Sequence, residues 1–160
     1  MRAAAIIRAY RSDDLEPIKA ITLVCFEGVA IDHNIEQRFG LIGERDWRWR
    51  KSKHLDDDAA AAKGEGIFVV EQDDVVRGYV TCRLDFESAI GRIPNIAVLP
   101  EARGLGLGKL LMKRALDYFR KQGMSHAKIE TLDQNPVGLN FYPRMGFEEV
   151  GRQIHYLKAL

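Results

Sequence analysis

The sequence is short of the residues that build metal and disulfide frameworks. Its 160 residues include two cysteines, Cys25 and Cys82, at no zinc or redox spacing, and four scattered histidines. That composition argues against a disulfide scaffold and a metal site, and makes a reducing, cytoplasmic setting the expectation. Nor is there an excess of one charge. With 24 Lys and Arg against 23 Asp and Glu the formal net charge is +1, so the molecule exerts no strong pull on nucleic acid or acidic membrane, and a basic site has to be local. Long apolar runs are missing too. MRAAAIIRAY at the start is too brief for a signal-peptide core or a membrane span and reads as a first strand. No repeat and no low-complexity segment is found. What is there, 46% hydrophobic residues, supports a core and a single domain over residues 1–160.

The apolar spacing then sets the order of elements. SDDLEPIKAITLVCF reads as an amphipathic helix closed by Gly28, and a second, charge-dense helical stretch runs over residues 35 to 51. LDDDAAAAKGEG is a brief helix or loop with its three aspartates as the cap. IFVVEQDDVVRGYVTCRLDF reads as a hairpin joined at residues 72 to 74, and RIPNIAVLP as a further strand. Residues 107 to 121 present one broad apolar face, with Gly123 as the C-cap. AKIETL is the next strand, Asn135 and Pro136 open another helix, and GFEEVG with RQIHYLKAL supplies a terminal hairpin. The fold class is α/β (α+β), a mixed central sheet flanked by helices.

The informative stretch is RGLGLGK, residues 103 to 109. A dinucleotide fingerprint needs a glycine where Lys109 stands, and a P-loop needs four residues before GK and then Ser or Thr, where this chain has three and Leu110. What survives is general: glycine-freed N–H groups at a helix start converge on an anion. A plain glycine-rich turn explains the stretch equally well in isolation. Residues 103 to 121 also carry six Lys and Arg against Asp117 alone, most of them explained as a solvated helix face.

The order NIAV, LPEARGLGLG, amphipathic helix, KIETL and then N..G..FY...GF resembles the GNAT superfamily of acetyl-CoA-dependent N-acetyltransferases. Arg103, Gly106 and Gly108 match its phosphate-loop signature. NIAV and the place of Glu130 are most similar to ribosomal-protein N-terminal acetyltransferases of the RimI type. The resemblance implies the GNAT fold, acetyl-CoA as co-substrate, and direct attack by an amine without a covalent enzyme intermediate. It implies that Arg103, Gly104, Leu105, Gly106, Leu107, Gly108 and Lys109 hold the pyrophosphate, while the pantetheine arm lies along Ile96, Ala97 and Val98. The N–H of Ile96 is then the donor to the thioester oxygen. Tyr142 falls at the general-acid position and Glu130 at that of a general base acting through water. Asn135 caps its helix and reaches the pantetheine amides.

Three departures from that family stand out. Gly138 replaces the usual alanine at a cost of about 1 kcal/mol in helix propensity. Pro143 cannot donate to Leu139, so the helix kinks or ends beside Tyr142. Leu105 fills a commonly polar loop position. Elsewhere, ERDWRWRKSKH has a composition that suits nucleic acid, but Trp47 and Trp49 sit about 200° apart on a helix, so one packs on the core and the other lines the acceptor groove or a subunit contact. The expected partner is an amine acceptor, a small molecule or a protein N-terminus or lysine, with no nucleic acid and no membrane; a homodimer stays open. The alternative function is a non-catalytic acetyl-CoA sensor.

Overall fold

The computed structural model describes residues 3–160, so Met1 and Arg2 of the expected first strand lie outside the described residues. Strand β1 (Ile6–Ala9) leads through a short 3-10 turn into helix α1 (Leu15–Cys25), followed by α2 (Ile31–Phe39) and α3 (Trp47–Ala62). Strands β2 (Ile67–Gln72), β3 (Val75–Thr81), β4 (Arg83–Asp85), β5 (Ile90–Ile93) and β6 (Ile96–Val98) come next, then α4 (Leu107–Lys121), β7 (His126–Ile129) and α5 (Pro136–Arg144).

The strands form two sheets, β1-β2-β3-β6 and β4-β5-β7. All pairs are antiparallel except β5 with β7, which run parallel from Ile90 opposite His126 to Ile93 opposite Ile129. Both faces of the first sheet are covered, which is why IFVV is apolar without alternation. Phe68, Val70 and Val80 pack with Leu111, Met112, Ala115 and Phe119 of α4. Val69, Tyr79 and Ala97 point the other way, onto Ile18, Ile21 and Leu55 of α1 and α3.

Four expectations need correction. The helical stretch over residues 35 to 51 is two helices, because Gly40 and Gly43 take left-handed φ values of 70° and 57° and Asp46 caps a new start by accepting from the Trp49 N–H at 2.8 Å. The aspartates 56 to 58 therefore lie inside α3, where each meets a cation rather than capping: Lys19, Lys53 and Arg83. RIPNIAVLP is two strands. Pro94 has no N–H for a ladder, and the chain passes there from the second sheet to the first. Finally, the terminal hairpin does not form. Residues 148–160 hold no regular structure, and Gly151, its candidate turn residue, does not adopt the positive φ that a tight hairpin uses. Of the two tryptophans, Trp47 is the buried one and Trp49 is exposed, under the Arg45 guanidinium.

Candidate active site

The site is a fork. Strands β5 and β7 pair up to Ile93 and Ile129; beyond Pro94 the chain joins β3 as β6, and no pairing continues between β6 and β7. Along β6 the alternate residues Asn95, Ala97 and Leu99 face β3, as the Thr81 N–H to Asn95 O and Leu99 N–H to Arg77 O bonds show, both 2.9 Å. Antiparallel alternation then turns the N–H and C=O groups of Ile96 and Val98 into the fork. The Val98 carbonyl is taken there by Arg103 Nε at 3.1 Å and the Cys25 thiol at 3.4 Å.

At the end of β6 the glycine loop turns into α4. Gly104 and Gly106 have φ values of 78° and 77°, with open space where a Cβ would sit. A left-handed backbone at both places is what makes glycine necessary. The backbone N–H groups of residues 104 to 109 meet no acceptor among the described residues, and the first helical bond is Leu110 N–H to Gly106 O at 3.1 Å. Six unengaged donors in sequence at the positive end of a 15-residue helix suit an anion. Leu107 is buried in the core, so only its backbone can contribute, whereas Leu105 and Lys109 are exposed.

Across the fork, Asn135 accepts from the Gly138 N–H and donates through Nδ2 to Thr131 Oγ1 at 3.0 Å. That bond explains Gly138. A Cβ there would lie 2.6 Å from Thr131 Oγ1 and 3.0 Å from the Tyr142 ring, so alanine would push Thr131 out of its bond with Asn135. The helix ends at Arg144, one residue beyond Pro143. Tyr142 is packed edge-on against Phe141 and Phe147, with centroids 5.6 and 6.1 Å away. Burial pushes its phenol up to about 12, so it holds its proton at neutral pH. Glu130 is different: its side chain is 65% exposed and bonded to Lys128 at 3.0 Å and Arg92 at 3.3 Å. Lys128 above all holds the carboxyl below its usual range.

Sequence reasoning missed a polar chain beneath the fork. Arg83 grips Asp58 at 2.5 Å, Asp58 accepts from Asn95 Nδ2 at 3.3 Å, and Asn95 Oδ1 accepts from Lys51 Nζ at 2.9 Å. Lys51 also stacks 4.2 Å over Phe26 and is driven toward its neutral form by burial. Asn95 directly precedes Ile96, so this chain fixes the peptide whose N–H enters the fork. The only signal in the sequence was NIAV itself. A second contact closes the opposite side: Gln134 exchanges two 2.9 Å bonds with Asn34 and donates to the Gly28 carbonyl at 2.8 Å. Among the described residues no cluster of three His, Cys, Asp or Glu could hold a metal, and no helix is long and apolar enough to cross a membrane.

The family model for the acetyltransferase (GNAT) family matches residues 33–147, well over half of the chain. The chain belongs to the GNAT family. It is similar to a mycothiol acetyltransferase of Streptomyces griseus, 30% identical over 118 residues covering 74% of this chain and 36% of that protein. It is also similar to N-alpha-acetyltransferase 30 of Schizosaccharomyces pombe, 30% identical over 95 residues, 58% of this chain and 63% of that one. Matches of this kind span 24–63% of the relatives' own lengths. Among solved structures, the PaiA N-acetyltransferase of Thermoplasma acidophilum in complex with coenzyme A superposes with a TM-score of 0.73 over 91% of both chains at 19% identity, which shows that the GNAT fold is shared.

Proposed function

We propose that the protein is an acetyl-CoA-dependent N-acetyltransferase that moves the acetyl group to a primary amine by direct attack. The observation that carries this reading is the pairing of six unengaged loop N–H groups with an open β6 edge leading away from them. The cradle suits a pyrophosphate, and the edge suits an extended arm bearing amides. Acetyl-CoA, when bound, supplies a thioester carbonyl as electrophile and a thiolate as leaving group.

Each need of the reaction meets a group of this chain. The loop amides of residues 104 to 109 hold the pyrophosphate, with Arg103 and Lys109 beside them. For an arm to pair with Val98, Arg103 releases that carbonyl and turns its guanidinium toward the phosphates. The Ile96 N–H, held by Asn95 and Lys51, donates to the carbonyl oxygen as negative charge develops there. Tyr142 gives its proton to the departing sulfur; the amine nitrogen forms the new C–N bond, the C–S bond breaks, and the products are the amide and the free thiol. The surplus amine proton leaves to water that Glu130 orders, and water returns a proton to the Tyr142 phenolate. The acceptor enters from the side of the fork where Gln134, between β7 and α5, clasps the turn after α1 and helix α2. Both a protein N-terminus and a small amine fit this reading, since relatives named for each kind of acceptor match the chain.

The test is release of free thiol from acetyl-CoA over a panel of amines: N-terminal peptides, lysine peptides, polyamines and amino sugars. Turnover with one class is expected. Tyr142→Phe, which keeps the ring packing, is expected to lower kcat by about 10²- to 10⁴-fold, the usual worth of general acid catalysis, with acetyl-CoA affinity unchanged in calorimetry. Tight acetyl-CoA binding with no thiol release for any amine would favour the sensor reading instead. Undiminished turnover in Tyr142→Phe would remove that residue from the reaction.

A further inference from the structure

One buried lysine stands without a counter-charge. Lys51, on α3, reaches beneath β6, where its Nζ donates to Asn95 Oδ1 at 2.9 Å and lies 4.2 Å over the Phe26 ring. Among the described residues it makes no ion pair, because the two carboxylates that face it are taken: Asp58 by Arg83, and Asp32 by Arg50 and His54. An amine held that way fills space at a cost, since it must leave water, while a methionine has similar reach and nothing to desolvate. Its worth lies in what it holds.

What it holds is a peptide plane. Asn95 is buried; its C=O accepts from the Thr81 N–H at 2.9 Å and its N–H donates to Thr81 Oγ1 at 3.0 Å, so the backbone is fixed from the β3 side. The Ile96 N–H belongs to the same planar unit as the Asn95 C=O and points the opposite way, so whatever tilts one tilts the other. The Asn95 side chain is the handle of that unit. Lys51 grips its Oδ1 and Asp58 its Nδ2, from two positions seven residues apart and hence on one face of α3. Asp58 is anchored in turn by Arg83, whereas Lys51 leans on Phe26, in the turn after α1. That turn borders the acceptor side of the fork: the Phe26 carbonyl takes the Val29 N–H at 3.1 Å, and the Gly28 carbonyl takes Gln134 Nε2 at 2.8 Å.

We propose that Lys51 is a positioning residue that ties the turn after α1 to the Ile96 N–H, so that an acceptor seated against the turn also sets the aim of the oxyanion donor. The inference rests on the acetyltransferase reading and deepens it: the acceptor side and the N–H that meets the thioester oxygen move as one unit. When the turn shifts, the Phe26 ring carries Lys51 Nζ with it, Lys51 draws on Asn95 Oδ1, and the Asn95–Ile96 peptide tilts about its bonds to Thr81. Small tilts matter here, because a misplacement of about 1 Å is enough to waste a donor aimed at a developing oxyanion.

The experiment reads the Ile96 amide directly. Nitrogen–proton correlation spectra of the full chain are recorded for wild type, Lys51→Met, Phe26→Leu and the double variant, and kcat is measured for each with an amine that the wild type acetylates. Lys51→Met is expected to move the Ile96 resonance and to lower kcat by about 10- to 100-fold, with the acetyl-CoA KM unchanged. Phe26→Leu changes a half-buried ring and is expected to move the same resonance and to lower kcat by about three- to tenfold. Added to Lys51→Met it should cost less than about twofold more and leave the resonance in place, because the tie is already cut. An Ile96 resonance that stays put in Lys51→Met, or that Phe26→Leu shifts equally with and without Lys51, overturns the proposal, as do additive losses of kcat. A lowered melting temperature in Lys51→Met with wild-type kcat per folded molecule would leave Lys51 a structural role only, and overturns it as well. Where Lys51→Met does not fold, an unmoved Ile96 resonance in Phe26→Leu is the overturning result. A wild type that releases no thiol with any amine would sink the acetyltransferase reading, and the resonances still decide whether the tie exists.

Discussion

The two arms of the fork are built differently. On the β6 side, strands β2 and β3 are buried on both faces, α1, α3 and α4 close over them, and Asn95 and Asp58 are matched to each other in the interior. On the β7 side the strand alternates between exposed and half-exposed, α5 buries Gly138 alone, and the chain beyond Phe147 makes no backbone hydrogen bond among the described residues. The difference separates two tasks. Backbone groups that must be aimed, the loop amides and the Ile96 N–H, sit on the finished arm. The side chains proposed to move protons, and the wall that meets the acceptor, sit on the arm with slack in it. Rigid scaffolds with looser functional rims are a general solution, because openings and closures are drawn from the less stable parts of a fold.

The largest expected effect breaks the finished arm. Asp14 is buried and accepts two bonds from Arg8, at 2.7 and 2.9 Å, and one from the Arg11 N–H at 2.7 Å. Asp14→Asn leaves Glu71, 2.8 Å away, as the remaining counter-charge of Arg8 and weakens the charge-assisted bonds at Asp14, and unfolding in urea should show a loss of about 1.5–3 kcal/mol at neutral pH. Arg8 holds the Asp14 carboxyl below its usual range. For a lowered carboxyl the stabilisation is complete above the unfolded value, about 3.9, and is lost as pH falls through the lower folded value. The gap between wild type and variant should therefore narrow in acid. A gap that holds constant below pH 3 would show that packing, not charge, is what the variant removes.

A middle-sized effect separates two glycines of the loop. Gly106 takes φ 77°, so Gly106→Ala should cost about 1–2 kcal/mol of stability from backbone strain alone. Gly108 is helical, and a Cβ on it would sit 3.5 Å from the Phe141 ring and 3.9 Å from Val98, ordinary contact distances. Gly108→Ala should melt like the wild type. Gly108→Val adds two methyls between the walls of the fork and should weaken acetyl-CoA binding by more than about tenfold, or 1.4 kcal/mol, as calorimetry would read. Wild-type affinity in Gly108→Val would move the arm of the ligand away from this crevice.

How far the sequence carried differs between the arms in the same way. The α4 stripe, the Asn135 cap and the end of α5 beside Pro143 could all be read, because each rests on local rules of period, capping or proline geometry. What could not be read depends on distant partners. Nothing local distinguishes aspartates that cap from aspartates that pair with Lys19 and Arg83, and helix α3 absorbed them. Gly138 looked like a plain cost until Thr131, seven residues earlier, was found in the space of its Cβ. Lys51 lies 44 residues from the asparagine it holds. The terminal hairpin failed for the converse reason: its alternation was legible, but alternation says that a strand wants a neighbour and not which one.

The smallest expected effect lies on the open arm, at Glu130. As a strong general base this carboxylate would need a raised affinity for protons, and its surroundings do the opposite. Lys128 and Arg92 bond it from the strand and its neighbour, Lys128 contributing most, and water reaches the side chain freely. The group is thus ionised throughout the neutral range and weakly basic. It can orient a water or attract an ammonium, but takes a proton poorly. On that basis Glu130→Gln should lower kcat by less than about tenfold, well below the loss from a true acid–base partner, and leave the acid limb of the pH profile in place. Steady-state rates from pH 5 to 9 for wild type and variant make the measurement. A hundredfold loss, with the acid limb gone, would show that bound substrates strip Lys128 and Arg92 from the carboxylate and turn it into the base.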